Sequence, residues 1–255
     1  MVGEDAEYPG AGRLWVPDHT GEFYLAVLQR LHEHLRPSTY LEIGCDKGLS
    51  LALAKCASLG IDPDPHLDVE AAIGAKPQFA LYRMSSDSFF ARHDPKVILG
   101  GPVDLAFLDG MHWSEFLLRD FINTERHCRP NSIIIMHDCL PVEQPMAERV
   151  PTGIPIRERH RYAWTGDVWR AALVLKRHRP DLQITAYDAS PTGLVCITNL
   201  SPESTVLGDS YAALVREMMA ETLDGLGVDK LFAALNVEPT SAIRDHETIS
   251  ARFWL

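Results

Sequence analysis

The chain has 255 residues, 46% of them hydrophobic, with 24 Lys and Arg against 35 Asp and Glu for a net charge of −11. That length and apolar content suffice for one sizeable core with a small appendage, and an acidic balance spread along the chain argues against nucleic acid as the main partner, because phosphate binding needs a basic surface. The acidic start MVGEDAEYPG lacks the regions of a signal peptide, and no apolar run approaches the roughly 20 residues that span a bilayer, so a cytoplasmic location without a membrane partner is expected.

Residues 1–37 read as an N-terminal helical segment. The first apolar run, Thr39 to Ile43, passes into YLEIGCDKG, which puts Glu42 at a strand end, Gly44 in the turn and Gly48 where a helix begins. Glycine lets backbone approach a ligand closely, and the amides of a helix N-terminus face whatever is bound there. The spacing is not the G-x-G-x-x-G of dinucleotide sites, and Asp46 would crowd a pyrophosphate. The stretch GLSLALAKC carries Leu49, Leu53 and Cys56 on one face of the helix expected to follow.

A second run, Ala57 to Ile61, ends in GIDPDP, with Asp62 placed to accept hydrogen bonds from ribose hydroxyls. The third, Phe79 to Met84, leads into MSSDSFF, where Asp87 can bond an adenine amine and Ser88 can line that pocket. The fourth, Val103 to Leu108, stops at Asp109, and Gly110, His112 and Trp113 follow in the next turn. A helix with Ser114 as N-cap then carries Phe116, Leu117, Phe121 and His127 at helical spacing. The fifth run, Ile133 to Met136, ends at His137 and Asp138; Asn131 before it is expected to supply a left-handed turn.

Residues 139–165 interrupt the alternation and are expected to pass over the site as an active-site insertion. They bring Arg157, Arg159, His160, Arg161, Tyr162 and Trp164, a mixture able to stack on a ring or hold an anionic group. Asp167 can cap the helix that follows, which carries Val168, Ala171, Ala172 and Leu175 on one side. Two more runs, Leu182 to Tyr187 and Leu194 to Thr198, complete seven strands.

Residues 201–255 read as a helical C-terminal extension, with Tyr211, Leu214, Val215, Met218 and Thr222 on one side and Leu231, Phe232 and Leu235 after a GLG breaker. Such a tail packs on its own domain or forms a homo-oligomer face. The five cysteines, Cys45, Cys56, Cys128, Cys139 and Cys196, are scattered without a C-x-x-C pair and read as core residues. The fold class expected is α/β: a doubly wound, Rossmann-like, seven-stranded, mostly parallel sheet over residues 38–200, with helices on both faces.

In such a sheet the C-terminal ends of neighbouring parallel strands share the ligand edge, so Asp109 and Asp138 converge. Two converging carboxylates repel unless a cation, a proton or an arginine lies between them. Oxygen ligands suit a hard dication such as Mg²⁺, and His137 either completes the set or orients it. A neutral His112 beside that cation can take the proton of an acceptor hydroxyl. Trp113 either walls the acceptor pocket or staples the helix.

E-x-G-x-x-x-G, the acid after the second strand, VDLAFLDG and IIIMHD, in this order over residues 38–200, resemble the class I S-adenosylmethionine-dependent methyltransferases. The resemblance implies S-adenosylmethionine as cofactor, with its methionine part on Glu42, Gly44, Cys45 and Gly48, its ribose on Asp62, its adenine at Asp87 and Ser88, and Asp109 closing the edge. D-G-x-H followed by H-D is similar to a subgroup of metal-dependent small-molecule O-methyltransferases, including those acting on macrolide sugars. It implies Asp109 and Asp138 as Mg²⁺ ligands, His112 as base, and a small hydroxylated acceptor flanked by Trp113, His160, Tyr162 and Trp164. Methylation of a nitrogen or carbon, or a nucleoside-binding assembly protein without chemistry, are the alternatives these residues leave open.

Overall fold

The computed structural model describes residues 19–151 and 163–255. The seven expected strands form: β1 (Thr39–Ile43), β2 (Ala57–Ile61), β3 (Phe79–Tyr82), β4 (Val103–Leu108), β5 (Cys128–His137), β6 (Gln183–Tyr187) and β7 (Leu194–Thr198). An eighth, β8 (Val237–Glu238), comes from the C-terminal extension and pairs parallel to β6, so that extension is not wholly helical and the sheet has eight strands rather than seven. The strand order is β3-β2-β1-β4-β5-β7-β6-β8, with β7 antiparallel to both of its neighbours.

Around the sheet lie α1 (Tyr24–Leu35), α2 (Val69–Ile73), α3 (Ser86–Phe90), α4 (Pro95–Leu99), α5 (Ser114–Glu125) and α6 (Trp169–His178). The extension adds α7 (Val206–Asp209), α8 (Tyr211–Ala220), α9 (Leu223–Leu226), α10 (Val228–Leu235) and α11 (His246–Ser250). Both sheet faces are covered, which is why the central strands read as unbroken apolar runs. The period of two divides β1 between two cores: Leu41 and Ile43 join the cluster of α5, α6, α8 and α10, whereas Tyr40 joins that of α1 and α11. Trp169, which the spacing of its helix did not single out, is fully buried in the first. All five cysteines are free and buried, and no described helix is long and apolar enough to cross a membrane.

Four local expectations fail. The helix after β1 does not form: the segment makes only a 3-10 turn, Leu51–Leu53, and Leu49 is 58% exposed. The stretch is too short to complete an α-helix and still enter β2 at Ala57, and helices need several bonded turns to offset nucleation. Asn131 makes no left-handed turn; it lies inside β5, which absorbs the irregularity by a register shift against β4. Ser114 does not cap α5 either: Trp113 occupies the N-cap position, and the Asp167 carboxylate accepts from the Ser114 amide at 2.7 Å. Asp167 therefore caps α5 across the sheet edge instead of opening α6.

Candidate active site

Register brings the site together. Leu108 pairs with Met136, so the residues just beyond, Asp109 and His137, come level at the C-terminal edge, and Asp138 follows. His137 Nδ1 lies 3.1 Å from Asp109 Oδ1 and 3.4 Å from Asp138 Oδ2. Because β7 runs antiparallel and Leu194 faces His137, the chain just before β7 returns to this edge, and Thr192 Oγ1 sits 3.2 Å from His137 Nε2. Asp138 itself has φ 58°, a left-handed conformation that aspartate tolerates better than most non-glycine residues.

His112 arrives from the turn after β4. Its Nε2 is 3.1 Å from Asp138 Oδ2 and 3.8 Å from Asp109 Oδ1, and its Nδ1 is 3.2 Å from the carbonyl of Trp164. A carbonyl only accepts, so Nδ1 donates and Nε2 of the neutral ring turns a bare lone pair toward two carboxylates. That arrangement holds only with a proton on Nε2 or a cation among the three groups. Burial opposes the charged imidazole, yet Asp138 and then Asp109 outweigh it and raise the His112 pKa. Burial likewise works against ionised Asp138, while His137 and His112 hold its pKa well below the usual carboxylate range.

Residues 164–167 grip His112. The Asp167 amide donates to the His112 carbonyl at 3.2 Å, and the Trp164 ring stacks on the imidazole at 5.0 Å between centroids. A Cβ on Gly166 would come within 2.0 Å of the His112 carbonyl oxygen, so glycine is needed for this approach. Beside His112 opens a cavity of about 450 Å³ lined by Met111, Trp113, Val150, Pro151 and Trp164 among others. Both indole N–H groups are committed, Trp113 to the Arg149 carbonyl at 3.0 Å and Trp164 to that of Glu148 at 2.7 Å. The cavity therefore meets its occupant with ring faces. Arg149 adds no free charge, since Glu115 and Asp167 both pair with it. Trp113 thus walls the cavity as well as opening α5 at its N-cap. His160 and Tyr162, and with them Arg157, Arg159 and Arg161, lie outside the described residues.

At the other strand ends, Asp62 accepts from the amides of Cys45 at 2.7 Å, Asp46 at 2.9 Å and Asp64 at 2.7 Å. Three of its about four acceptor positions are thereby filled, and the amides after Gly44 address this carboxylate rather than a helix-bound ligand. Gly44 and Gly48 both have positive φ, and the Gly44 Cα packs against the Asp109 backbone. Asp87 is held in a bidentate pair by Arg119, and the Ser88 hydroxyl is 3.0 Å from that of Ser85. Asp87 is therefore already paired, while Ser88 keeps hydrogen-bonding capacity beyond its bond with Ser85.

Glu42 is fully buried, accepting from Tyr40 Oη at 2.6 Å and Ser50 Oγ at 2.8 Å. Burial outweighs these two bonds and pushes its pKa up to about 8 from an ordinary 4.5. A carboxyl whose folded pKa lies above its unfolded value stabilises the fold fully only below the unfolded value, and loses that contribution as pH rises to the folded one. Glu42→Gln should therefore melt progressively higher than the wild type between about pH 5 and about pH 8, and a gap independent of pH in thermal melts would refute the assignment.

Sequence reasoning missed Tyr24, whose ring packs 4.2 Å from His137 between centroids. Burial, followed by the charges of Asp109 and Asp138, raises its phenol pKa. It also missed Thr192 and Asp120, a buried acid on α5 whose pKa burial lifts to about 7. Each reaches the edge through the fold rather than through a neighbouring motif, so local spacing carried no signal for them.

Residues 41–139 match the family model described as a methyltransferase domain. A search of the curated proteins finds no match to the chain. Among solved structures, cofactor-bound Rv0187 from MTB superposes with a TM-score of 0.52 at 16% identity, over 76% of this chain and 85% of that one. The O-methyltransferase TomG from Streptomyces achromogenes, involved in tomaymycin synthesis and solved in complex with SAM, gives 0.49 at 15% identity over 70% and 80%. MycE, a methyltransferase of the mycinamycin pathway in complex with Mg, SAH and mycinamycin VI, gives 0.43 at 14% identity over 69% and 49%. The likeness to the first is one of fold.

Proposed function

We propose that this chain, residues 41–139 of which match a methyltransferase domain, is a class I S-adenosylmethionine-dependent methyltransferase that methylates a hydroxyl of a small molecule with the help of a divalent cation. The observation that carries this reading is the convergence of His112 Nε2 with Asp109 and Asp138, 3.8 and 3.1 Å away, at the mouth of an apolar cavity. Two carboxylates and a lone pair facing one another fit a cation by their charge. Asp109, Asp138 and His137 would hold it, and its Lewis acidity would ease loss of a proton from a hydroxyl. The ends of β1 to β3, with the remaining acceptor position of Asp62, would hold the cofactor, which supplies a methyl group on a sulfonium.

The chain's own residues then have distinct tasks. The Trp164 carbonyl keeps the His112 proton on Nδ1, so Nε2 is the basic atom that takes the acceptor's proton. Trp113 and Trp164 hold the acceptor by ring faces and exclude water. Most of the rate gain comes from aligning two bound reactants for in-line displacement. The acceptor is an uncharged hydroxylated natural product or sugar, because the cavity offers no unpaired charge among its described residues.

The test is transfer of isotopically labelled methyl from S-adenosylmethionine to a panel of phenols, sugars, amines and carbon acids, with and without prior chelation. Label on hydroxyl acceptors, lost on chelation and restored by added dication, is expected. Label only on nitrogen or carbon, at a rate chelation leaves alone, would overturn the reading.

A further inference from the structure

The third donor at the carboxylate pair is a nitrogen, and its surroundings are built to aim it. Resting on the reading of this edge as a cation site, we propose that the centre selects a first-row transition dication over Mg²⁺, with His137 Nδ1 as the deciding ligand. Asp109, His137 and Asp138 can each offer one ligand atom, all within 4.8 Å of one another. Two ligand atoms at right angles, each about 2.1 Å from one ion, lie about 3.0 Å apart. The edges from His137 Nδ1 to Asp109 Oδ1 and Asp138 Oδ2 are 3.1 and 3.4 Å, so the two edges that meet at the nitrogen are close to the length one ion would set.

Mg²⁺ takes oxygen and dehydrates reluctantly, whereas imidazole favours the later first-row metals in the Irving–Williams order. An imidazole serving as ligand needs its other nitrogen engaged and its plane fixed. Here Thr192 Oγ1 lies 3.2 Å from His137 Nε2, and the Tyr24 ring covers the imidazole face at 4.2 Å between centroids. His112 Nε2, in contact with the same carboxylates, stays the base, its ring fixed by Trp164.

The test uses the metals alone on chelator-treated, full-length protein. Calorimetry should give a Co²⁺ affinity at least a hundredfold above that for Mg²⁺, on the order expected from gaining a nitrogen donor. His137→Gln should lower the Co²⁺ affinity by about a hundredfold and shift the visible absorption of bound Co²⁺, while Mg²⁺ affinity moves less than about threefold. Thr192→Val, which removes the hydroxyl that His137 Nε2 and the Asp138 carboxylate share, should cost about tenfold in Co²⁺ affinity with an unchanged melting curve, and guards against a His137 variant that fails to fold. Mg²⁺ binding within about tenfold of Co²⁺, or Co²⁺ spectra and affinities indifferent to both substitutions, would overturn the selectivity while leaving the methyl-transfer reading intact. Binding of neither ion would overturn it together with the cation site.

Discussion

Replacing His112 with alanine is expected to lower kcat by about 10²–10⁴ while leaving the affinity for S-adenosylhomocysteine unchanged. The loss follows from the tautomer: with Nδ1 donating to the Trp164 carbonyl, Nε2 is the only basic nitrogen the ring turns toward Asp109 and Asp138. No hydrogen bond joins the His112 side chain to the strand ends β1 to β3, so cofactor binding has no reason to change. His112→Gln, which keeps the Trp164 contact but has no basic atom, should be as inactive as the alanine variant. Single-turnover rates with saturating cofactor, alongside calorimetric titration of S-adenosylhomocysteine, separate the two effects. Retention of more than about a tenth of the wild-type rate in both variants would remove His112 from the role of base.

Gly44→Ala should be among the most damaging single methyl groups at the described residues. The Gly44 φ is +85°, and a Cβ there would meet the Asp109 carbonyl oxygen at 2.0 Å, its carbon at 2.4 Å and the Gly110 Cα at 2.6 Å. All three are backbone, so no side chain can rotate away, and either the turn after β1 or the end of β4 must move. The left-handed conformation alone costs a non-glycine residue about 1–2 kcal/mol, and overpacking adds about 1–3 kcal/mol. Because the displaced group is Asp109, the damage reaches the chemistry: a shift of about 1 Å at a reacting centre costs on the order of 10²-fold in rate. Gly100→Ala is the control, with φ +76° and nothing within 4 Å of its Cβ, and should lose only the conformational cost. Melting curves and turnover of the two variants settle the matter; equal losses would show that the close approach to Asp109 is not tight.

The strands and the edge they share were legible because a strand buried on both faces needs an unbroken apolar run and a parallel sheet must end its runs on one side. Asp109, His137 and Asp138 could be read as neighbours from that rule alone, before the Leu108–Met136 register put them level. Helical periodicity failed at Gly48 to Cys56 because the pattern of Leu49, Leu53 and Cys56 says nothing of how little chain separates β1 from β2. Asp167 looked like a cap for the helix it precedes, and its true partner, the Ser114 amide, is distant in sequence. Asp62 could be placed at its strand end from sequence, but not the neighbouring turn amides that occupy three of its acceptor positions and leave one. Thr192 and Tyr24 were invisible for a related reason: an antiparallel return and an N-terminal helix carry them to His137, and nothing local marks either.

The grip on His112 bears on where this edge keeps its rigidity. Trp164 Nε1 bonds the Glu148 carbonyl, and the Thr165 amide bonds that of Met146 at 2.9 Å. With the Gly166 approach and the Asp167 cap on α5, these bonds make the His112 imidazole a keystone: it can drift only if the arch of Met146, Glu148, Trp164 and Asp167 loosens with it.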